Sequence, residues 1–198
     1  MADERRARLR KQADATRLAA SAGKNDSVTG VGSAVKLLAV SGSLKRESSN
    51  GALVRAAAAA RSDADVEVWD ELDGLPHFSP DRRPNEHVEA LRSAVAGADA
   101  VLVATPEYAG GMPGALKNAL DWLVGSGELY GKPVVVVSAA PDARRGHNAR
   151  RWVEEVARMQ GATVRDSFTV AITPGDDDAK IASKAVEALK RSVAAIGD

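Results

Sequence analysis

The chain has 198 residues, of which 44% are hydrophobic, enough for one domain-sized core. Its 27 Lys and Arg residues balance its 27 Asp and Glu residues, so its charge gives no sign of nucleic acid or an acidic membrane surface as a partner. The absence of cysteine excludes disulfides, thiolate catalysis and zinc–sulfur sites, and leaves any redox chemistry to a cofactor. No apolar run approaches the roughly 20 residues that span a bilayer, and no signal peptide is evident, so a cytoplasmic protein is expected.

Residues 1–34 differ in composition from the rest of the chain. They carry seven basic and four acidic residues and few sizeable apolar side chains, among them Leu9, Leu18 and Val28. Such a segment cannot bury a face of its own, so a mobile N-terminal extension is expected. An arm that packs on a partner subunit is the alternative, and residues 35–198 are expected to form the folded domain.

From Val35 onward, strand-like and helix-like segments alternate along the chain. The nearly continuous apolar runs at 35–40, 100–105 and 133–138 predict central strands of a parallel sheet that helices cover on both faces. The runs at 66–69 and 162–173 alternate apolar with polar residues, which predicts edge strands. Right-handed crossovers then give the strand order 2-1-3-4-5 of a flavodoxin-like, doubly wound α/β sheet.

Apolar residues at helical spacing predict five helices between and after these strands. In the fourth helix, Trp152, Val153, Val156 and Ala157 are predicted to share one face, and Pro113 is predicted in the first turn of the third helix. Because the winding reverses between strands one and three, a ligand is expected beyond the carboxyl ends of the strands. The site is therefore predicted in the loops that start at Ser41, Thr105 and Ser138.

The first of these loops, "SGSLKRESSN", joins a buried strand to a helix. Its hydroxyls, amide, two cations and helix start suit a phosphate group. The alternative is that Ser48 or Ser49 caps the helix and the other serines are turn residues. The sequence lacks both G-x-x-x-x-G-K-[ST] and G-x-G-x-x-G, which disfavours a P-loop NTPase and a dinucleotide-binding dehydrogenase fold and indicates a mononucleotide.

The second loop, "TPEYAGGMP", has prolines that stiffen its backbone and glycines that let the backbone come close to a ligand. Pro106 and Pro113 restrict it, while Gly110 and Gly111 allow the backbone to approach a flat ligand. Tyr108 either packs against a ring or plugs the loop onto the core. A ligand role and a salt bridge are both open for Glu107.

The third loop, "SAAPDARRGHNARRW", offers the cations Arg144 and Arg145. They suit either an anionic ligand or a solvated surface. The three histidines of the chain have no partners at metal-ligand spacing, so no metal site is predicted.

Together, "GSLKRESSN" and "TPEYAGGMPGALKNALDW" resemble the corresponding motifs of the NAD(P)H-dependent FMN reductase family, which includes quinone, azo-dye and chromate reductases. The resemblance covers about residues 35–196. It implies FMN and NAD(P)H as cofactors, with hydride passing from NAD(P)H through bound FMN to a small acceptor such as a quinone, an azo compound, chromate or free flavin. It also implies a homodimer or homotetramer with the flavin near the subunit interface.

Two other functions stay open beside this one. An FMN-binding electron carrier would exchange electrons with a protein partner. A reductase could instead use FMN as a diffusible substrate and supply a monooxygenase.

The resemblance also implies roles for individual residues. It makes Ser43, Lys45, Ser48 and Asn50 the ligands of the FMN phosphate. It places Pro106, Glu107, Tyr108 and the backbone of Ala109 and Gly110 along the isoalloxazine ring, with Tyr108 as a candidate pocket residue for the acceptor. Ser41 and Ser138, where two of the loops begin, complete the predicted cofactor-binding set, and no catalytic acid or base is assigned.

The chain departs from the family's pattern in two places. Lys45 stands where the family usually has arginine, which keeps the charge but loses bidentate geometry unless Arg46 shares the task. The third loop has Pro141, Asp142 and two arginines where the family tends to have glycines and a serine. The geometry of that loop is therefore left open.

Overall fold

A computed structural model of the chain describes residues 34–60, 64–142 and 144–197. The predicted N-terminal extension, apart from residue 34, lies outside the described residues. Five strands form one parallel sheet in the order β2-β1-β3-β4-β5, which confirms the flavodoxin-like arrangement predicted from the sequence. The strands are β1 (Val35–Ser41), β2 (Ala64–Trp69), β3 (Ala100–Ala104), β4 (Pro133–Ala140) and β5 (Thr163–Ala171).

Helices cover both faces of the sheet. They are α1 (Ser49–Ala59), α2 (Glu86–Gly97), α3 (Gly114–Leu123), α4 (His147–Met159) and α5 (Asp178–Gly197), with a short 3-10 turn at Leu72–Gly74. One apolar cluster joins the sheet to α1 and α5, and the other joins its opposite face to α2, α3 and α4. The winding therefore reverses between β1 and β3, as predicted.

Burial along the strands follows the predicted distinction between centre and edge. All of β3 is buried, as is β4 after Pro133 and β1 from Leu37 onward. The edge strands β2 and β5 alternate buried or partly buried positions with exposed ones. Continuous apolar runs are thus covered on both faces, while alternating runs keep partial contact with water.

Two details of the helix predictions were wrong. Trp152 is 52% exposed rather than on the buried face of α4, because that face is centred on Ala149, Val153 and Ala157. The indole ring of Trp152 lies beside this stripe and packs against Gly111. Pro113 occupies the N-cap position, just before the first residue of α3, rather than its first turn.

The segment between β2 and α2 is fastened to α3. The Phe78 N–H donates to Asn118 Oδ1 at 2.7 Å. The Pro76 carbonyl oxygen accepts from Asn118 Nδ2 at 3.0 Å and from Trp122 Nε1 at 2.7 Å. The Phe78 ring meets the Trp122 ring edge to face, with the ring centroids 5.2 Å apart. These contacts join this segment to α3, the helix that follows the second loop of the predicted site.

Candidate functional site

Three loops begin side by side at the carboxyl edge of the sheet: loop 1 (42–48) after β1, loop 2 (105–113) after β3, and loop 3 (141–146, in which residue 143 is not described) after β4. The Gly42 N–H donates to the Ala104 carbonyl oxygen at 2.8 Å, and the Thr105 N–H donates to the Val137 carbonyl oxygen at 2.8 Å. The sheet ladder thus continues into the loop starts, which holds the predicted loops next to each other.

Loop 1 ends in a helix cap. Ser48 is the N-cap of α1, and its Oγ accepts from the Gly51 N–H at 2.9 Å. The Lys45 N–H donates to Ser43 Oγ at 3.2 Å, which tightens the turn between them. Ser48 therefore does cap the helix, as the alternative in the sequence analysis stated. This cap satisfies only one of the first N–H groups of the helix and leaves the others for an anion.

A basic cleft of about 440 Å³ lies against loop 1. Its lining combines two buried hydroxyls, three cations and two carboxylates: Ser41, Ser43, Leu44, Lys45, Arg46, Gly51, Arg55, Asp70 and Asp73. Arg55 was missed in the sequence, although its position seven residues after the cap places it on the same helix face two turns away. It reaches back toward loop 1, where its Nη2 donates to the Arg46 carbonyl oxygen at 3.2 Å.

Asn50 ties α1 to β4. Its Oδ1 accepts from the Ala139 N–H at 2.9 Å, and its Nδ2 lies 3.5 Å from the Ala139 carbonyl oxygen. The residue is only 3% exposed. The amide that was predicted to bind phosphate thus has a structural partner, and its contact with a phosphate stays a prediction.

Loop 2 is a tight hairpin. The N–H groups of Tyr108 and Gly111 each donate to the other residue's carbonyl oxygen at 3.0 Å. The central residues Ala109 and Gly110 have φ angles of 49° and 77°, the positive values that a type I′ turn requires. In such a turn the central N–H groups point away from the bridge, so they are presented as fixed donors.

Glu107 fastens this hairpin to α4. Its Oε2 accepts from the N–H groups of Asn148 at 3.0 Å and Ala149 at 3.2 Å. The N-cap position of α4 is Gly146, which has no side chain to cap the helix. A carboxylate from 41 residues away therefore caps α4, and the predicted role of Glu107 along a flavin ring stays a prediction.

Tyr108 and Ser138 link the loops to each other. Tyr108 is 52% exposed and does not plug the core; its hydroxyl oxygen lies 3.2 Å from Ser43 Oγ, which joins loop 2 to loop 1. Ser138 is buried, and its Oγ donates to the Thr105 carbonyl oxygen at 2.8 Å. The Ser138 hydroxyl thus holds the start of loop 2, and its contact with a cofactor stays a prediction.

Loop 3 is built from polar contacts. The Arg144 N–H donates to Asp142 Oδ1 at 2.8 Å, and the Arg145 N–H donates to the Asp142 carbonyl oxygen at 3.2 Å. Gly146 has a φ of 81°, and a Cβ at this position would lie 2.5 Å from the Ser138 Cβ. Only glycine fits this point, where loop 3 turns into α4 against the end of β4.

The donor set fits a phosphorylated ligand with a flat ring. Loop 1 brings hydroxyls, cations and a helix N-terminus together, which suits phosphate. The hairpin of loop 2 presents outward N–H groups, which suit the carbonyl oxygens of a ring. Within the described ranges, no group of three or more His, Asp or Glu side chains is placed to hold a metal ion, and no helix is long and apolar enough to cross a membrane.

Fold and loop geometry together define a flavodoxin-like protein with a candidate mononucleotide site at the carboxyl edge of its sheet. The sequence model of the family described as NADPH-dependent FMN reductase matches residues 35–177. The chain belongs to this family. Membership makes it an oxidoreductase with FMN and NAD(P)H as its cofactors.

Relatives agree with this assignment, and a solved structure agrees with the fold. The chain is 40% identical over 116 residues to 2-hydroxy-1,4-benzoquinone reductase from a Burkholderia species, and the aligned stretch covers 56% of this chain and 63% of that protein. It is 33% identical over 137 residues to quinone reductase from Escherichia coli K12, covering 66% and 73% respectively. The fold is similar to that of FerB, a flavoenzyme NAD(P)H:(acceptor) oxidoreductase from Paracoccus denitrificans, with a TM-score of 0.65, 23% identity, and coverage of 82% of this chain and 97% of FerB.

Proposed function

We propose that this protein holds FMN across loops 1 and 2 and transfers hydride from NAD(P)H through it to a small acceptor of the quinone class. The observation that carries the proposal is the juxtaposition of a basic, hydroxyl-lined cleft with a rigid hairpin, joined by the contact between Ser43 and Tyr108. The two relatives described above are both named as quinone reductases, which favours that acceptor over azo compounds, chromate or free flavin.

In this proposal, the start of α1 and the cations around it bind the phosphate. Ser43 and Lys45 contribute a hydroxyl and a charge from loop 1, and Arg46 and Arg55 line the same cleft. Each charge-assisted hydrogen bond to the phosphate contributes about 1.5–3 kcal/mol. Arg46 and Arg55 would thereby compensate for the bidentate geometry that Lys45 lacks.

The hairpin of loop 2 is proposed to orient the ring. Pro106 and Tyr108 would border it, and the N–H groups of Ala109 and Gly110 would donate to its polar edge. Bound FMN supplies the hydride chemistry, while the protein supplies position and fixed donors. The proposal therefore assigns no side-chain acid or base and treats Tyr108 as a wall of the acceptor pocket.

We also propose that the protein works in the cytoplasm as a homodimer or homotetramer. The lack of cysteine suits a reducing compartment. Tyr108 and Trp152 are each 52% exposed and both belong to the surroundings of loop 2, which supports a subunit contact near the site. Light scattering that found only monomer at working concentration would contradict this assembly.

The test uses the purified full chain. After dialysis its absorption spectrum is recorded, and NADH and NADPH oxidation are followed with a benzoquinone acceptor, with and without added FMN. A retained flavin spectrum and quinone-dependent oxidation of either nicotinamide support the proposal. If the purified protein neither bound FMN nor oxidised NAD(P)H, the proposal would be overturned.

The same measurements separate the alternatives. A colourless protein that oxidises NAD(P)H only when FMN is supplied would indicate FMN as a diffusible substrate. A flavin-loaded protein that NAD(P)H reduces only slowly, and that passes electrons to a protein partner instead of a quinone, would indicate an electron carrier.

A further inference from the structure

Arg150 is a buried arginine behind loop 3. It is the fourth residue of α4 and only 7% exposed. Its Nη1 donates to Thr169 Oγ1 at 2.5 Å and to the Arg145 carbonyl oxygen at 3.3 Å. The Thr169 hydroxyl also donates to that carbonyl oxygen at 3.0 Å, so the three groups form one network.

The positive charge of Arg150 is poorly compensated. Both of its acceptors are neutral, and its Nε has no hydrogen-bond partner within the described residues. Its position in the first turns of α4 adds the unfavourable field of the helix N-terminus. A buried charge without a hydrogen-bonded counterion is costly, so its presence calls for a compensating anion.

The two carboxylates whose charges act on Arg150 make their own contacts elsewhere. Burial lowers the pKa of the Arg150 guanidinium, while Glu154 and Glu107 oppose that shift. Glu154 forms an ion pair with Arg158 at 3.0 Å, and Glu107 caps the backbone of α4. Neither carboxylate makes a direct hydrogen bond to Arg150 among the described contacts, so much of its charge is available to a further anion.

Arg150 lies beside the end of β4, where loop 3 turns into α4. A Cβ built on Gly146 would be 3.2 Å from Arg150 Nη1 and 2.6 Å from Ser138 Oγ, which places the guanidinium beside the end of β4. The charge of Glu107, the residue next to the hairpin of loop 2, opposes the lowering of the Arg150 pKa. The guanidinium is therefore close enough to the start of loop 3 for its charge to act on a ring held between loops 2 and 3.

We propose that Arg150 is a positioning residue whose buried charge stabilises the negative charge that FMN gains on accepting hydride. The inference rests on the proposed function. Hydride transfer breaks a C–H bond of NAD(P)H and carries two electrons and one proton to the flavin ring. NAD(P)⁺ is released, and the ring keeps one additional negative charge. A fixed cation in a site of low dielectric favours that product.

The reduction potential of bound FMN tests this directly. Arg150→Met keeps an unbranched stem of similar length to the aliphatic part of arginine and removes its charge. We expect the ratio of reduced to oxidised FMN at a given potential to fall about tenfold, which is about 30 mV for a two-electron couple. Arg150→Lys keeps the charge and is expected to restore most of the wild-type potential.

Arg151→Met is the matched control. Arg151 is the next residue of α4, is exposed, and pairs with Glu155 at 2.9 Å. Its loss is expected to leave the potential unchanged. FMN-loaded wild-type and variant proteins would each be equilibrated with a reference dye, and FMN dissociation constants would be measured on the same samples.

Two more variants separate charge from local structure. Thr169→Val removes a neutral hydrogen-bond partner but keeps the Arg150 charge, so the potential should stay near the wild-type value. Glu107→Gln removes a nearby negative charge and keeps an acceptor for α4, so the potential should become more positive. If Arg150 only braced loop 3, Thr169→Val would shift the potential as much as Arg150→Met.

An unchanged potential in folded, FMN-loaded Arg150→Met would overturn the inference. If that variant does not fold, Arg150→Gln decides, because it removes the charge and keeps a polar group for Thr169, and an unchanged potential in it overturns the inference as well. Failure of the wild-type chain to bind FMN would instead overturn the proposed function, and the inference with it.

Discussion

The N-termini of α1 and α4 lie at the same edge of the sheet, but they differ in how their N–H groups are satisfied. At α1 the neighbouring residue Ser48 caps the helix, and Lys45, Arg46 and Arg55 line the adjoining cleft. At α4 the cap is the carboxylate of Glu107, which comes from another loop. One terminus thus keeps room and positive charge for an external anion, while the other has an internal anion in place.

If α1 binds the FMN phosphate as proposed, this difference separates ligand binding at α1 from loop assembly at α4. Both helix starts carry the same partial positive charge, so sequence position alone does not distinguish them. The distinction comes from the source of the anion. A helix N-terminus that a carboxylate from another loop already caps connects two parts of the fold. A helix N-terminus surrounded by cations can instead bind an anionic ligand.

The largest expected effect is at α1. Lys45→Met removes a cation from the cleft, and the loss of one charge-assisted hydrogen bond is expected to weaken FMN binding about 10- to 100-fold. Titration of FMN fluorescence measures it. Lys36→Met, an exposed lysine at the opposite end of β1, is the control and should bind as the wild type does. Wild-type affinity in Lys45→Met would contradict the assignment of α1 as the anion site.

At α4 the expected effect is on stability. Glu107→Ala leaves the N–H groups of Asn148 and Ala149 without their acceptor and should lower the free energy of unfolding by about 1–2 kcal/mol. Urea unfolding of the protein without FMN measures this. Glu155→Ala, which removes an exposed carboxylate from the same helix, should cost about 0.5 kcal/mol or less. Equal losses in the two variants would show that Glu107 is not a cap.

The contact between loop 2 and α4 gives a smaller effect. A Cβ at residue 111 would lie 2.9 Å from the Trp152 ring, so Gly111→Ala is expected to destabilise the protein by about 1 kcal/mol as the half-exposed indole moves aside. In a Trp152→Ala background the same change should have almost no effect. A double-mutant cycle with no coupling between the two positions would contradict this packing.

The smallest expected effect concerns the geometry of the phosphate contact. Lys45→Arg offers a fork that bonds a phosphate through two N–H groups, and we expect about two- to fivefold tighter FMN binding. Arg46→Lys is the reciprocal change at the neighbouring position and should not tighten binding. Weaker binding in Lys45→Arg would mean that the cleft is shaped for an ammonium group.

The fold was predictable because its signals are local. The continuous apolar runs of β1, β3 and β4 and the alternation in β2 and β5 determine which strands are central, and right-handed crossovers then leave one simple order. That order also placed the three loops at one edge. The hairpin of loop 2 was not predicted, although Gly110 at a positive φ is a local signal for it.

The contacts inside the site were not predictable, because they join distant positions. Asn50 pairs with a residue 89 positions away, Glu107 caps a helix 41 positions away, and Arg150 bonds to a threonine 19 positions away. Side chains of these types suit a ligand and a backbone partner equally well. The three-dimensional path of the chain decides whether such a side chain meets a ligand or a backbone group, and a single sequence does not reveal that path.

The hairpin of loop 2 also offers a way to watch the site. Ala109 already adopts a left-handed φ of 49° with a side chain in place, and backbone hydrogen bonds between Tyr108 and Gly111 close the turn around it. The chain contains no cysteine, so Ala109→Cys would create a single thiol at the tip of the turn. A fluorophore attached there would report ligand arrival without any background labelling, which makes this protein a convenient scaffold for an optical sensor.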